Sequence, residues 1–370
     1  MQNGKINSFQ FLVLVVFFSI GTSILYVPSI LSSQVKQDAW IVAIIGTGIG
    51  QLVIWLFTTI AMWYPTLTYT EVNEKIFGKI IGKTISILFV FMCILYTSAL
   101  LSHSGTFLIT QMFPKTPILA LNILMALLVV IAVRLGLETI ARSAEIFIFV
   151  FLFLFILLTL TISPKINFEN LEPFFQENIG SLLHSSIAVV VVSSVNSIVL
   201  FMIFPAFIKD IEKAKKNFFI GNFIGGIIVT IITLLCIFVL GSTTTARQVY
   251  PSYALAKVIN VGNFLTRIEA LMATLWILGL FFKAVLYFYA AIFGLKQIFS
   301  LKDYRSLTSS LGVIIVVLSV IIFPNILYHL KFDSKVSIAL SLIIGFFFPL
   351  LLVVIYTMRK KKLKKDPDHS

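Results

Sequence analysis

Ten stretches of roughly twenty mostly apolar residues follow one another along the chain, at about 8–31, 40–63, 84–112, 118–134, 142–163, 186–208, 217–241, 266–295, 308–330 and 336–358. A helix needs about 20 such residues to cross the hydrocarbon of a bilayer, where its backbone must satisfy itself internally. Only 12% of the 370 residues are charged and 59% are hydrophobic, about half the charged share of a soluble domain. The expectation is an all-α integral membrane protein of ten transmembrane helices, forming a single transmembrane domain over 1–370. No connection between spans is long enough for a soluble enzyme module, and no nucleophile elbow, phosphate loop or metal motif is present. Cys93 and Cys236 lie inside apolar runs and the four His are in no paired spacing, so neither a disulfide framework nor a metal site is expected, nor any cofactor. The apolar run near the N-terminus continues past the length of a signal core and ends in no A-x-A-like cleavage site.

The net charge of +13 invites a nucleic-acid partner, but its placement points to a lipid bilayer instead. Arg359 to Lys362, with Lys364 and Lys365, form a basic tail (359–370) directly after the last apolar run, an orientation and headgroup signal. With the N-terminus inside, the inner segments hold 19 Lys and Arg against 8 in the outer ones. That excess predicts both termini in the cytoplasm. The outer connections 164–185 and 242–265 carry apolar residues at intervals that suggest short interfacial helices, the second after a Tyr250-Pro251 turn. The inner connection 64–83 is amphipathic around Val72, Ile76 and Ile80.

Two spans carry polar interruptions at matching places. Span one has Gly21, Thr22 and Ser23 and then Pro28, and span six has Ser193, Ser194, Asn196 and Ser197 and then Pro205. A small polar cluster suits close packing of a neighbouring helix. Five helices apart, and therefore in halves of opposite sense (about 8–163 and 186–358), such breaks also mark a midplane binding site. Lys283 lies deep in span eight, where an unpaired ammonium costs about 3 kcal/mol. It is expected to face the bundle interior, either charged and solvated by carbonyls, hydroxyls or water, or neutral. It is then a structural partner for the carbonyls of a broken helix, a cation-site or coupling residue standing where other transporters hold sodium, or both. Tyr287 lies one turn on. On span three, Tyr96 is nearest mid-depth within a polar run through Ser98, Ser102, His103, Ser104 and Thr106. His103, a lone intramembrane histidine, is a functional candidate by default and reads first as a packing histidine. Arg142 with Glu145, and Arg267 with Glu269, read as boundary anchors or local ion pairs, and Gly221 with Gly225 as GxxxG helix packing.

Gly21-Thr22-Ser23-Ile24-Leu25 with Pro28, Asn170-Leu171-Glu172-Pro173 with Gly180, Phe204-Pro205 before a basic Lys209–Lys216 segment, Arg267-Ile268-Glu269, Trp276, Tyr287-Phe288-Tyr289-Ala290-Ala291 and Gly294-Leu295-Lys296 follow one another along the chain. In these motifs and their order the chain resembles the B-subunit family of bacterial spore germinant receptors, a branch of the amino acid–polyamine–organocation superfamily. The resemblance spans about 5–360. It implies a LeuT-like 5+5 inverted repeat with broken helices one and six. It also implies a place in the spore inner membrane beside an A-type membrane subunit and a C-type lipoprotein, and a small nutrient, often an amino acid, as ligand. Carried over by position, Gly21, Thr22, Ser23, Ser194, Asn196 and Ser197 would bind that ligand, with Tyr96 and Tyr287 lining the site. Two departures concern ligand class. Ser197 and Val199 stand where many relatives have Gly-x-Glu, and Ser102 and His103 where many have an arginine. An amino acid transporter of the same fold, proton-coupled or a uniporter, is the alternative.

Overall fold

Asn7 starts the first helix by a reciprocal cap: its Oδ1 accepts from the Gln10 N–H at 2.7 Å and the Gln10 Oε1 from the Asn7 N–H at 3.0 Å. The computed structural model describes residues 4–258 and 269–363, and its regular elements are helical. The expected first span is divided into α1 (Ser8–Ile20) and α2 (Ser23–Val35). Then come α3 (Ala39–Ala61), the short α4 (Tyr69–Phe77), α5 (Lys79–Gln111), α6 (Ile118–Leu135) and α7 (Leu137–Ile162). The sixth span begins at Ile179 rather than near 186, because the Asn178 side chain caps it by accepting from the Ser181 N–H at 2.8 Å. It runs as α8 (Ile179–Val189), a π-helical stretch Val190–Ser194 and a 3₁₀ stretch Val195–Met202. The rest is α9 (Ile211–Leu240), α10 (Ser242–Arg247), α11 (Pro251–Lys257), α12 (Glu269–Ile298), α13 (Arg305–Ile321), α14 (Ile326–Lys331), α15 (Ile338–Leu342) and α16 (Phe348–Leu363). Among the described residues, eight helical stretches are long and apolar enough to span a membrane, and Ser8–Ile20 and Arg305–Ile321 are shorter apolar helices. Arg267, Ile268, the start of the eighth run and the tail beyond Leu363 lie outside the described residues.

The chain divides into two units. Unit one holds the chain up to Ile54, Leu135–Ser197 and Glu212–Leu286, and unit two holds Trp55–Arg134, Ile198–Ile211 and the chain from Tyr287 on.

In unit one, α1 is buried on almost all sides, as expected of a helix apolar all round. Its partner α9 approaches closely through glycine. A Cβ on Gly221 would lie 2.8 Å from Val15 Cβ, and one on Gly225 would lie 2.5 Å from Ser19 Cβ. The spacing read as helix packing therefore does pack. α7 shows the opposite pattern: Ile146, Phe149, Phe153, Ile156 and Leu160 form an exposed apolar stripe at helical spacing, suited to lipid. Glu138 pairs with Arg142 across one turn, and Glu145 instead accepts from Gln10 Nε2 at 3.0 Å. The Arg142–Glu145 pairing is thus replaced by i,i+4 geometry. Pro28 inside α2 has no N–H, so the Ile24 carbonyl loses its helical donor. Ser252 Oγ, from α11, donates to that carbonyl.

In unit two, Gly78 at φ +89° turns the chain between α4 and α5, a conformation that favours glycine. Val72 and Ile76 of α4 are buried as the amphipathic pattern requires, but Ile80 is 84% exposed. The helix ends at Phe77 and Ile80 belongs to α5, so its register is not that of Val72 and Ile76. Asn122 of α6 donates to Ser319 Oγ of α13 at 2.9 Å, and Trp63 stacks on Tyr356 with centroids 3.8 Å apart.

Candidate functional site

Helix one is interrupted at Gly21–Thr22, but it is kinked rather than unwound. Both residues keep right-handed helical dihedrals, and the Gly21 N–H still donates to the Phe17 carbonyl at 3.0 Å. Ser23 Oγ returns to the Ser19 carbonyl at 2.8 Å, bridging the interruption. Few backbone groups are therefore released here. The sixth span departs further from α-helix. Its π-helical turn is wide and the following 3₁₀ stretch is tight, and at such a junction carbonyls leave the regular ladder. Two of them accept from side chains. The Val192 carbonyl takes a bond from Lys283, and the Ser193 carbonyl takes bonds from Ser197 Oγ (3.0 Å) and Asn222 Nδ2 (3.2 Å).

Lys283 joins the two irregular stretches. It is 2% exposed, and its ammonium donates to Thr22 Oγ1 and to the Val192 carbonyl, each at 3.2 Å. The same ammonium lies 5.1 Å from the Phe18 ring centroid, within range of a cation–π contact. The aliphatic stem crosses Gly21 closely enough that a Cβ there would lie 2.6 Å from Lys283 Cδ and 3.2 Å from the Gly279 carbonyl. Gly21 thus provides clearance for the lysine. Burying the lysine nitrogen at this depth requires polar partners, and the Thr22 hydroxyl and the Val192 carbonyl supply them.

Asn222 is a site residue that the sequence reading missed. Its Oδ1 accepts from Ser194 Oγ and Gln51 Nε2, both at 3.1 Å. Its Nδ2 donates to Ser19 Oγ at 3.3 Å and to the Ser193 carbonyl. One amide on α9 thereby fastens α1, α3 and the π-helical turn. The signal was present: Asn222 is an isolated amide between Gly221 and Gly225 in an apolar run. Ser193 Oγ is buried with no hydrogen-bond partner among the described residues. Ser194, Asn196 and Ser197 are buried beside it in the chain.

Of the expected site residues, Gly21, Thr22, Ser23, Ser194, Asn196, Ser197 and Lys283 fall in unit one, and Tyr96 and Tyr287 in unit two. There the two tyrosine rings meet edge to face with centroids 5.5 Å apart. Tyr96 Oη donates to the Ser337 carbonyl at 2.8 Å and lies 2.7 Å from Ser341 Oγ. His103, also in unit two, sits 3.3 Å from Asp333 Oδ2, its ring 4.5 Å from that of His329. His329 Nε2 is 2.9 Å from Ser102 Oγ.

The spore germination protein family matches residues 5–327 of this chain. Spore germination protein KB of Bacillus subtilis (strain 168) is 31% identical over 374 residues, covering 99% of this chain and 98% of that protein. Spore germination protein GerLB of Bacillus cereus is 28% identical over 278 residues, 72% of each chain. Among solved structures, MhsT in complex with L-phenylalanine superposes with a TM-score of 0.66 at 14% identity, covering 94% of this chain and 97% of that one. Mhp1, a nucleobase-cation-symport-1 family transporter in a closed conformation with bromovinylhydantoin bound, gives 0.66 at 12% identity over 97% and 80%. At these identities the shared property is the fold, which is LeuT-like as expected.

Proposed function

Because this chain belongs to the spore germination protein family, we propose that it is the nutrient-sensing subunit of a spore germinant receptor. A small germinant, with an amino acid as the first choice, binds in unit one at Gly21–Ser23 and Ser193–Ser197. The receptor lies in the spore inner membrane with both termini of this chain in the cytoplasm, beside an A-type membrane subunit and a C-type lipoprotein.

The observation that carries the reading is the Lys283 ammonium shared between Thr22 Oγ1 and the Val192 carbonyl. A ligand carboxylate is a stronger partner for that ammonium than a neutral hydroxyl or carbonyl. Binding would draw Lys283 from its two protein acceptors and favour the state in which the kink of helix one and the π-helical turn are released from each other. Ligand can shift that equilibrium only by its differential affinity for the two states. Thr22, Ser23 and Ser193 offer hydroxyls to the rest of the ligand. The stretch from Ser193 to Ser197 holds no carboxylate, which favours a ligand recognised mainly through its acidic group.

The structural likeness to MhsT and Mhp1 supports a second reading, an amino acid transporter working by proton coupling or as a uniporter. The purified chain in liposomes separates the two. Saturable binding of radiolabelled amino acid without accumulation supports sensing. Uptake by the chain alone supports transport and overturns the receptor assignment.

A further inference from the structure

A cavity of about 400 Å³ opens within unit two, between the start of α4 and the last turns of α12. None of the residues discussed for unit one belongs to it. Its lining includes Phe207 and Phe293, whose rings meet edge to face at 5.3 Å, and carries one carboxylate, Glu71, and one ammonium, Lys296. Neither makes an ion pair within 4 Å among the described residues. Glu71 Oε2 is fixed by the Thr68 N–H and hydroxyl, both at 2.9 Å, which holds the carboxylate in place and leaves Oε1 for another donor. Lys296 rests 5.1 Å from the Phe293 centroid. Gln297 Oε1 takes the Thr70 hydroxyl proton at 2.5 Å and lies 2.8 Å from the Thr68 hydroxyl, whose one proton serves either Glu71 or Gln297 at a time, so the Gln297 amide nitrogen is the group left to donate.

Opposite charges that line one cavity without meeting are matched by a ligand that carries both. We propose that this cavity binds a small zwitterion with an apolar substituent. Its ammonium pairs with Glu71, its carboxylate pairs with Lys296 and the Gln297 amide, and its substituent packs on Phe207 and Phe293. The volume lies within the range of small-molecule pockets, about 300–1,000 Å³.

Ser300, exposed at the cavity, gives a local readout that does not pass through unit one. The native cysteines are buried, so in a Ser300→Cys protein a maleimide reports on position 300. L-Leucine is the probe, with isocaproate lacking only the ammonium and isoamylamine lacking only the carboxylate. The expected result is saturable protection by L-leucine and much weaker protection by either analogue. Adding Lys296→Met or Glu71→Gln should raise the half-protecting concentration at least about tenfold, the loss of one charge-assisted hydrogen bond. Glutamine keeps the helix cap at position 71, so that variant separates charge from folding. Protection should persist when Lys283→Met is added, which distinguishes this cavity from the site proposed in unit one. No protection by L-leucine, equal protection by a singly charged analogue, or protection unchanged by both charge-removing variants would each overturn the proposal.

Discussion

Lys283→Met tests whether the buried ammonium is held for stability or for response. Methionine keeps an unbranched stem of similar length and removes the charge. In the folded protein the ammonium makes two hydrogen bonds, to Thr22 Oγ1 and the Val192 carbonyl. At about 1.5–3 kcal/mol each for bonds to a charged group, their loss costs roughly 3–6 kcal/mol. Against this, methionine avoids the cost of placing an ammonium at mid-bilayer, about 3 kcal/mol. The difference is a net destabilisation of about 0–3 kcal/mol, small for the removal of a buried charged residue. The variant should therefore accumulate in the membrane, with thermal unfolding in nanodiscs shifted only modestly. Spores carrying it should lose the dose-dependent germination response, because a ligand carboxylate no longer has an ammonium to draw away. A loss of stability well beyond about 3 kcal/mol would refute the energy balance. A normal dose–response curve at normal protein level would refute the role given to Lys283.

Gly21→Ala places a Cβ 2.6 Å from Lys283 Cδ and 2.9 Å from Lys283 Cβ, an overpacking expected to cost about 1–3 kcal/mol in thermal or denaturant unfolding. Gly279→Ala meets its nearest neighbour, Gly21 Cα, at 3.3 Å and should cost clearly less; equal effects would argue against the clearance role of Gly21. Asn222→Ala removes the amide that contacts Ser19, Gln51, Ser193 and Ser194 and leaves buried groups unpaired. It should destabilise by about 2–4 kcal/mol in the same assay, and a change below about 1 kcal/mol would show that the network does not fasten these helices.

The apolar runs made the membrane-helix class legible, since length and hydrophobicity alone decide whether a segment can cross a bilayer. The positions of Gly21–Ser23 and Ser193–Ser197 were legible for a related reason: small polar residues are out of place in an apolar span. Lys283 announced itself by the cost of its charge. What these groups touch was not legible. Asn222 drew no reading of its own, and its four partners come from α1, α3 and the sixth span. Nor was the clearance that Gly21 gives legible: the nearest neighbour of a Cβ there is the Lys283 stem. The cavity at Glu71 and Lys296 drew no attention, because its charges are ordinary at helix ends and more than two hundred residues apart in sequence. Sequence by itself determined which residues had to be inside a bilayer and which were too polar to be there without a reason. Only the tertiary structure decided the reasons, because hydrogen-bond partners and clearances are set by which helices meet, and residues that meet there are rarely near one another in the chain.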